Sequence, residues 1–373
     1  MAEEAQDHHQ NHHPLPLLEA LRKASKALQN NPIATIYNNH DTNAAIEALL
    51  ELATQADPII STDPSLFNLA QLLNNLKILL ENLEKLQSYG LRSLLRRQIT
   101  NYNISQVGYA IEAEIQAYVD RKHVESFVET MNESEEDGEK VEALVGLETR
   151  LSRGFDKEYQ ELILKAKVFS IVEFIICESL LSNWVKDQAA VVALALVQFN
   201  KDVFVGLVLM GPIIGALISM GSCRSIQVLT SLVRIIRTPL VDDINEEIPR
   251  IIRLLSSEEL KMKAVAMNCV FEIGILAREE VIEAMLGEDL VKKLMDLQRL
   301  EVMGESKEDE GVGKFPFLGC VAAFAVQVEV GEGLEKTEKR AVKLEILKRV
   351  REASVSEAES ATVVSEVLWG SSP

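Results

Sequence analysis

The sequence predicts an all-α chain, a helical bundle followed by an α-solenoid, and three observations carry that expectation. Apolar residues follow helical spacing through most of the chain, broken by short polar turns. Hydrophobic residues make up 47% of it but aromatic residues only 5%, a balance suited to helices packed through Leu, Val, Ile and Ala. Between Gln188 and Leu294, small and apolar residues recur at a spacing of 38. Ala190, Val228 and Ala266 form one column, Ala193, Ser231 and Cys269 a second, Leu194, Leu232 and Val270 a third, and Val197, Ile235 and Ile273 a fourth. Within each unit the offsets 0, 3, 4 and 7 describe one helix face, and a face repeated at a fixed interval signals stacked layers.

Residues 1–14 are read as a disordered polar tail. His8, His9, His12 and His13 have no apolar partner to fix them there and are not taken as a metal site. Residues 15–131 are read as the N-terminal helical bundle. Its expected helices are Leu15–Leu28, Asn43–Ala56, one opening at the Asp63-Pro64 cap, Leu91–Tyr102, and Ser105–Met131. The third carries Leu66, Leu69, Leu73, Leu76, Leu80 and Leu83 at heptad spacing and is expected to stop at Gly90. Neighbouring amphipathic helices favour an antiparallel bundle over a free coiled coil. Arg92, Arg96 and Arg97 are read as a solvated polar face, with anionic lipid as the other reading.

Residues 132–140, NESEEDGEK, are expected to be a flexible acidic linker, and 141–187 a helical cap of the solenoid. The repeats, with the chain's remaining length, occupy 188–373, each pairing two helices. The pairs are Gln188–Phe199 with a helix from Gly211-Pro212, Arg224–Arg237 with Ile244–Ser256, and Leu260–Ala277 with Gly287–Leu297. Residues 301–314 form a charged, flexible insertion, after which Phe317, Cys320, Val321 and Phe324 resume the pattern at an offset of 51, with Glu338–Ala353 closing the fourth unit. The uncharged run Val203–Met220 approaches membrane-spanning length. Gly211-Pro212 divides it, and its counterpart 38 residues later is charged, so burial inside the array is expected instead of a span.

Net charge is −19, from 57 acidic and 38 basic side chains, which opposes general nucleic-acid binding. Cys177, Cys223, Cys269 and Cys320 include no CxxC pair, so thiols in a reducing compartment are expected. The opening MAEEAQDHHQNHHP has no basic or apolar signal region, and a cytoplasmic or nuclear location follows as the expectation. After His123 there is no histidine, which removes His-based triads and Cys/His metal sites from the rest of the chain. There is no P-loop, and Gly311-Val312-Gly313 lacks the third glycine of a dinucleotide fingerprint. No enzyme activity and no cofactor are expected.

Several stretches carry a resemblance: Phe199–Gly206 (FNKDVFVG), Ser256–Leu260, Ile282–Leu286 (IEAML), Val328–Leu334 (VEVGEGL) and the ending Val367–Pro373 (VLWGSSP). Through them, roughly Leu151–Pro373 resembles plant armadillo-repeat proteins outside the U-box group. The bundle is similar to the helical domain that precedes the U-box in plant armadillo ubiquitin ligases. The 132–140 linker is too short to hold a U-box, so ligase activity does not carry over. The resemblance implies a right-handed superhelix of armadillo units that binds protein, with the closing helices lining a concave groove. Aligning those helices sets Arg253, Lys292 and Lys348 in one register, flanked by Arg250, Lys293 and Arg349, with Gly215 holding the place in the first unit. Stacked cations of this kind suit an acidic or phosphorylated protein segment; the bland reading is the polar face of amphipathic helices. The function expected is a non-catalytic interaction scaffold. The alternatives are an ancillary subunit of a ubiquitin-ligase or kinase signalling complex, and a membrane-associated protein using 203–220.

Overall fold

The computed structural model describes residues 14–30, 51, 53–55, 60, 63–85, 91–302 and 317–369. The expected histidine tail, most of the Asn43–Ala56 helix, Gly90 and nearly all of the 301–314 insertion lie outside these. Among the described residues every regular element is helical. Two compact units result, residues 1–126 with 157–162 and residues 127–156 with 163–373.

The first unit contains α1 (Pro14–Asn30), α2 (Phe67–Lys85) and most of α3 (Leu91–Glu133). Asp63 caps the turn that leads into α2: its carboxylate accepts the Ser65 N–H at 2.9 Å and the Ser65 hydroxyl at 2.6 Å, while Pro64 supplies a preset φ. Those two bonds from Ser65 hold the Asp63 carboxyl below the usual carboxylate range. The Tyr118 hydroxyl, on α3, also donates to Asp63 at 3.1 Å. The heptad leucines point inward, with Leu66, Leu69, Leu76 and Leu80 buried beside Leu18, Leu21, Ile104, Ile111 and Ile115. The break expected after Tyr102 does not occur, since α3 is one helix from Leu91 to Glu133. Asn101–Asn103 contain neither Gly nor Pro, and burial of Ile104 one turn on keeps the polar residues helical.

The acidic run 132–140 contains the end of α3 and the start of α4 (Asp137–Leu151), leaving only residues 134–136 between them. Asp137 and Glu139 occupy the first turn of α4, where the helix dipole favours negative charge. Next come α5 (Lys157–Lys165), α6 (Val168–Cys177), α7 (Asn183–Phe199), α8 (Lys201–Met210), α9 (Ile213–Met220), α10 (Cys223–Ile236), α11 (Thr238–Asp243) and α12 (Ile248–Arg253). The series ends with α13 (Leu260–Leu276), α14 (Glu279–Gly287), α15 (Leu290–Val302), α16 (Cys320–Val330), α17 (Lys336–Ala353) and α18 (Glu357–Trp369).

The second unit is a stack of layers. Its longer helices form a row in which α4 packs on α7, α7 on α10, α10 on α13, α13 on α16 and α16 on α18. A second row lies beside it, with α6 against α7 and α9, α9 against α10, α12 against α13, α15 against α16 and α17 against α18. Burial defines equivalent positions in successive layers. Gln188, Ser225, Val265 and Cys320 share one; Ala189, Ile226, Ala266 and Val321 a second; Leu196, Val233, Ile273 and Val328 a third; all are buried. The offsets are therefore 37 (225 minus 188), 40 (265 minus 225) and 55 (320 minus 265), not a constant 38 followed by 51. A uniform 38 lands within one residue after two repeats, because 37 and 40 sum to 77 against 76. It nevertheless mixed half-exposed Ile235 into a column with buried Val197 and Ile273.

Each of the first three repeats holds three helices where two were expected. The extra members are the short α8, α11 and α14. Asn200, read as part of a turn, is the N-cap of α8, its side chain accepting the Asp202 N–H at 3.1 Å. Pro239 sits in the first turn of α11, where its missing N–H costs nothing. The uncharged run 203–220 becomes α8 and α9, a pair bent by 71°; no single helix among the described residues is long and apolar enough to cross a membrane. Phe204, Val208, Ile213, Ile214, Leu217 and Ile218 of that pair are buried in the stack. All four cysteines are free: Cys269 and Cys320 are buried, Cys223 is half-buried and Cys177 is exposed. Burial pushes the Cys269 thiol up to about 12.

Candidate binding face

The six cations singled out in the sequence fall on α12, α15 and α17 and do two different jobs. Lys293 donates to the Glu288 carbonyl at 2.7 Å, and Arg349 donates to the Leu286 carbonyl at 2.6 Å. Both therefore serve the C-terminal end of α14, where carbonyls lack intrahelical donors and the dipole favours positive charge. Arg349 also pairs with Glu345 at 2.9 Å, and its hydrogen bond draws the Glu345 carboxyl below its usual range. Arg250 is tied to Glu247 at 2.8 Å and to the Ser219 hydroxyl at 2.8 Å, the latter linking α12 to α9. These three act within the fold. Arg253, Lys292 and Lys348 are exposed. Arg253 donates only to the Pro249 carbonyl of its own helix, Lys348 reaches Glu345 at 3.5 Å, and Lys292 has no ion pair among the described residues.

The long row presents a different surface. Its equivalent positions Leu194, Ser231, Phe271 and Val326 are half-buried or exposed, as are Gln198, Ile235, Ile275 and Val330. Successive members lie one helix turn apart on an open edge that is mostly apolar. Polar groups bind the layers together along the same row. Gln188 donates to Glu148 at 2.5 Å and accepts from Arg224 at 3.3 Å, while Arg234 pairs with Glu272 at 2.6 Å. These contacts join α4, α7, α10 and α13 in sequence. No side-chain spacing in the sequence marked this edge, because the constant offset of 38 placed its members in different columns.

No family model matches the chain, and no curated protein matches it. Solved structures do. A designed armadillo repeat protein is 13% identical with a TM-score of 0.44, covering 66% of this chain and 99% of its own. Another, in complex with the peptide (KR)4, is 14% identical with a TM-score of 0.44, covering 66% and 98%. An engineered protein is 14% identical with a TM-score of 0.43, covering 95% and 87%. These similarities add nothing to the layers already described, which establish the α-solenoid by themselves. Three helices per repeat, at offsets of 37 and 40 residues, give the first three layers an armadillo-like arrangement. The array has an armadillo-like fold.

At the far end of the armadillo-like array, one residue that sequence reasoning passed over holds the last helix. Arg299 of α15 binds both oxygens of Glu359 at 2.6 and 2.9 Å, the Asp296 carboxylate at 2.6 Å and the Ala353 carbonyl at 2.8 Å. Gln298 beside it donates to Glu366 at 3.0 Å. Glu359 and Glu366 both lie on α18, whose buried residues are only Val363 and Val367. Arg299→Met should weaken the docking of α18 by about 2 kcal/mol, because the partly buried carboxylate and carbonyl lose their charged donor. Hydrogen exchange across 357–369 should accelerate about 30-fold while α10 is unchanged. The Arg299 hydrogen bonds hold the Glu359 carboxyl below its usual range. A depressed folded-state pKa contributes stability above the unfolded value, and that stability is lost as pH falls through the folded value. Acid should therefore loosen α18 in the native protein, and the Arg299→Met variant should lack that part of the pH dependence.

Proposed function

We propose that this protein is a non-catalytic scaffold that binds an extended protein segment along the open edge of the long row. One observation carries the reading. The half-exposed residues Leu194, Ile235, Phe271, Ile275, Val326 and Val330 recur layer by layer on helices that pack directly on one another. Along the second row α6 meets α9 and α15 meets α17 directly, but α12 is tied to α9 by the Arg250–Ser219 hydrogen bond and reaches α15 through the turn at residues 254–256 and through α14. The bound segment is proposed to run along α7, α10, α13 and α16 instead of along the closing helices. Apolar side chains spaced along the bound segment fit this edge, with the Arg234–Glu272 pair available to its polar groups.

The second reading keeps Arg253, Lys292 and Lys348 as the contact for an acidic or phosphorylated segment, and their exposure favours it. Peptides selected from a random display library on the full chain, then measured against two variants, separate the readings. Ile275→Asp with Val330→Asp should weaken selected peptides about 10-fold or more, while reversing Arg253, Lys292 and Lys348 to Glu should leave affinity within about 2-fold. The opposite result moves the site to the second row. Indifference to both sets of changes would discard both faces. The four free thiols accord with a reducing, cytoplasmic or nuclear setting.

A further inference from the structure

The first half of α3 carries a seam that the first unit's core, among the described residues, does not use. Leu95, Ile99, Tyr102, Gln106, Tyr109 and Ala113 are all exposed and follow one another at intervals of four, three, four, three and four. Those intervals place them in one line along the helix, the a and d positions of heptads. The apolar members are well exposed, with Leu95 at 61%, Ile99 at 60%, Tyr102 at 65% and Tyr109 at 64%. The opposite side of the same helix supplies Ile104, Ile111, Ile115 and Tyr118 to the core. Thus α3 is amphipathic twice over: one face is spent on its own unit, and a second narrow line faces outward.

Charge sets the second observation. Residues 91–111 contain Arg92, Arg96 and Arg97 and no acidic residue, in a chain with 57 Asp and Glu and a net charge of −19. All three arginines are exposed. Arg92 and Arg96 sit at or beside the seam, while Arg97, seven residues before Ile104, lies round the helix from it; the seam is thus cationic in a chain whose remaining composition is acidic.

We propose that residues 92–113 of α3 form a docking seam for an acidic amphipathic helix of a partner protein. The width of the line selects a helix over a bilayer. An interfacial membrane helix buries a broad apolar face, whereas here Gln98 and Asn103 border the line and Gln106 interrupts it. One knob per turn is what a second helix accepts between its own side chains. The charge selects an acidic partner over a second copy. Two copies would each bring −19, and parallel pairing would set Arg92 and Arg96 near their equivalents. A polar Gln106 inside the seam would fix the register of the incoming helix. The inference concerns the first unit alone and stands whether or not the array binds as proposed.

The test uses the full chain and a synthetic helical peptide of three heptads, with Leu and Ile at a and d and Glu at e and g. A counterpart with Lys at e and g and vesicles of mixed phosphatidylcholine and phosphatidylserine serve as competitors. The Glu-flanked peptide should bind, with an affinity that falls as salt rises, and the Lys-flanked peptide should not. Reversing Arg92 and Arg96 to Glu should weaken the first about 10-fold or more and admit the second. Ile99→Asp with Tyr102→Asp should abolish binding while the thermal midpoint stays unchanged, since both side chains are exposed. Equal binding of the two peptides, no binding of either, or preference for vesicles would overturn the proposal. So would a dimer that Ile99→Asp dissociates. Loss of stability in the Ile99→Asp and Tyr102→Asp variant would show the seam to be covered by the chain itself and would overturn the proposal too.

Discussion

Phe324→Ala should destabilise the last layers of the array by about 4 kcal/mol, the usual cost of removing a fully buried aromatic ring. The Phe324 side chain has no exposed surface. It occupies the position equivalent to Val192, Leu229 and Cys269 in the earlier layers, so it is the bulkiest residue of its column. Its ring stacks on Phe271 at 6.4 Å between centroids, and it lies against Gly274 of α13. A Cβ at residue 274 would stand 3.0 Å from the Phe324 ring, which is why a glycine is tolerated within that helix despite costing about 1 kcal/mol of helix propensity. Truncating the ring leaves a void on both sides, since Gly274 has no side chain with which to fill it. In a layered array this loss stays local before it becomes global. Hydrogen exchange should therefore speed up first in α16, α17 and α18, while α7 and α10 keep their protection. A loss of less than about 1 kcal/mol in the unfolding free energy measured in urea would mean that α13 and α16 are held together mainly by other contacts.

Whether a feature was legible in the sequence depended on how locally it was encoded. Helical character was local and readable, because spacing such as Leu66, Leu69, Leu73, Leu76 and Leu80 needs only one helix to be understood. The layered architecture was readable because each layer buries the same face. The repeat length was less so. The connections between α7 and α10 and between α10 and α13 differ by three residues, as the offsets of 37 and 40 show, and a mean period conceals that difference. Short α8, α11 and α14 hid for a related reason: a helix of two or three turns has too few residues to display a period, and Asn200 and Pro239 fall between the expected helices without showing that one caps a helix and the other opens its first turn. The continuity of α3 past Tyr102 depended on burial of Ile104 against other helices, which no local rule reports.

The candidate face was the least legible part. Charged residues on one helix can be listed from sequence, but their partners lie on other helices. Lys293 and Arg349 turned out to serve the carbonyl end of α14, and Arg250 a serine on α9. Arg299 shows the same limit from the other side: its i,i+3 partner Asp296 is visible in the chain, but Glu359, 60 positions away, is the contact that anchors α18. The seam on α3 could be found in principle, since its intervals and its lack of acids are written along one helix. It was overlooked because a helix break was expected after Tyr102, in the middle of the line.

Gly333→Ala should cost about 3 kcal/mol, near the upper end for overpacking, because the obstruction is main chain and cannot rotate away. The segment Val330–Leu334 leaves α16 and lies across the end of α13, where the Glu332 N–H donates to the Ile275 carbonyl at 2.7 Å. That carbonyl belongs to the last turn of α13 and has no donor within its own helix, so the crossing segment acts as a cap supplied from another layer. Arg237 pairs with Glu332 at 2.5 Å and Lys339 donates to the Gly331 carbonyl at 2.6 Å, which fixes the segment from both sides. So close an approach leaves no room for side chains. A Cβ on Gly333 would lie 2.1 Å from the Ala277 carbonyl oxygen, and one on Gly331 would lie 2.4 Å from that of Ile275. The VEVGEGL stretch noted for its resemblance thus has a mechanical reason for both glycines. The comparison that isolates this reason is Gly138→Ala in the first turn of α4, where nothing lies within 4 Å of the added methyl group. There the substitution should stabilise by about 0.5–1 kcal/mol, through the lower entropy of the unfolded chain. Denaturation of the two variants side by side should shift the midpoints in opposite directions. If Gly333→Ala leaves stability within about 1 kcal/mol of the parent, the crossing segment is free to move away, and α13 is not capped by its neighbouring layer.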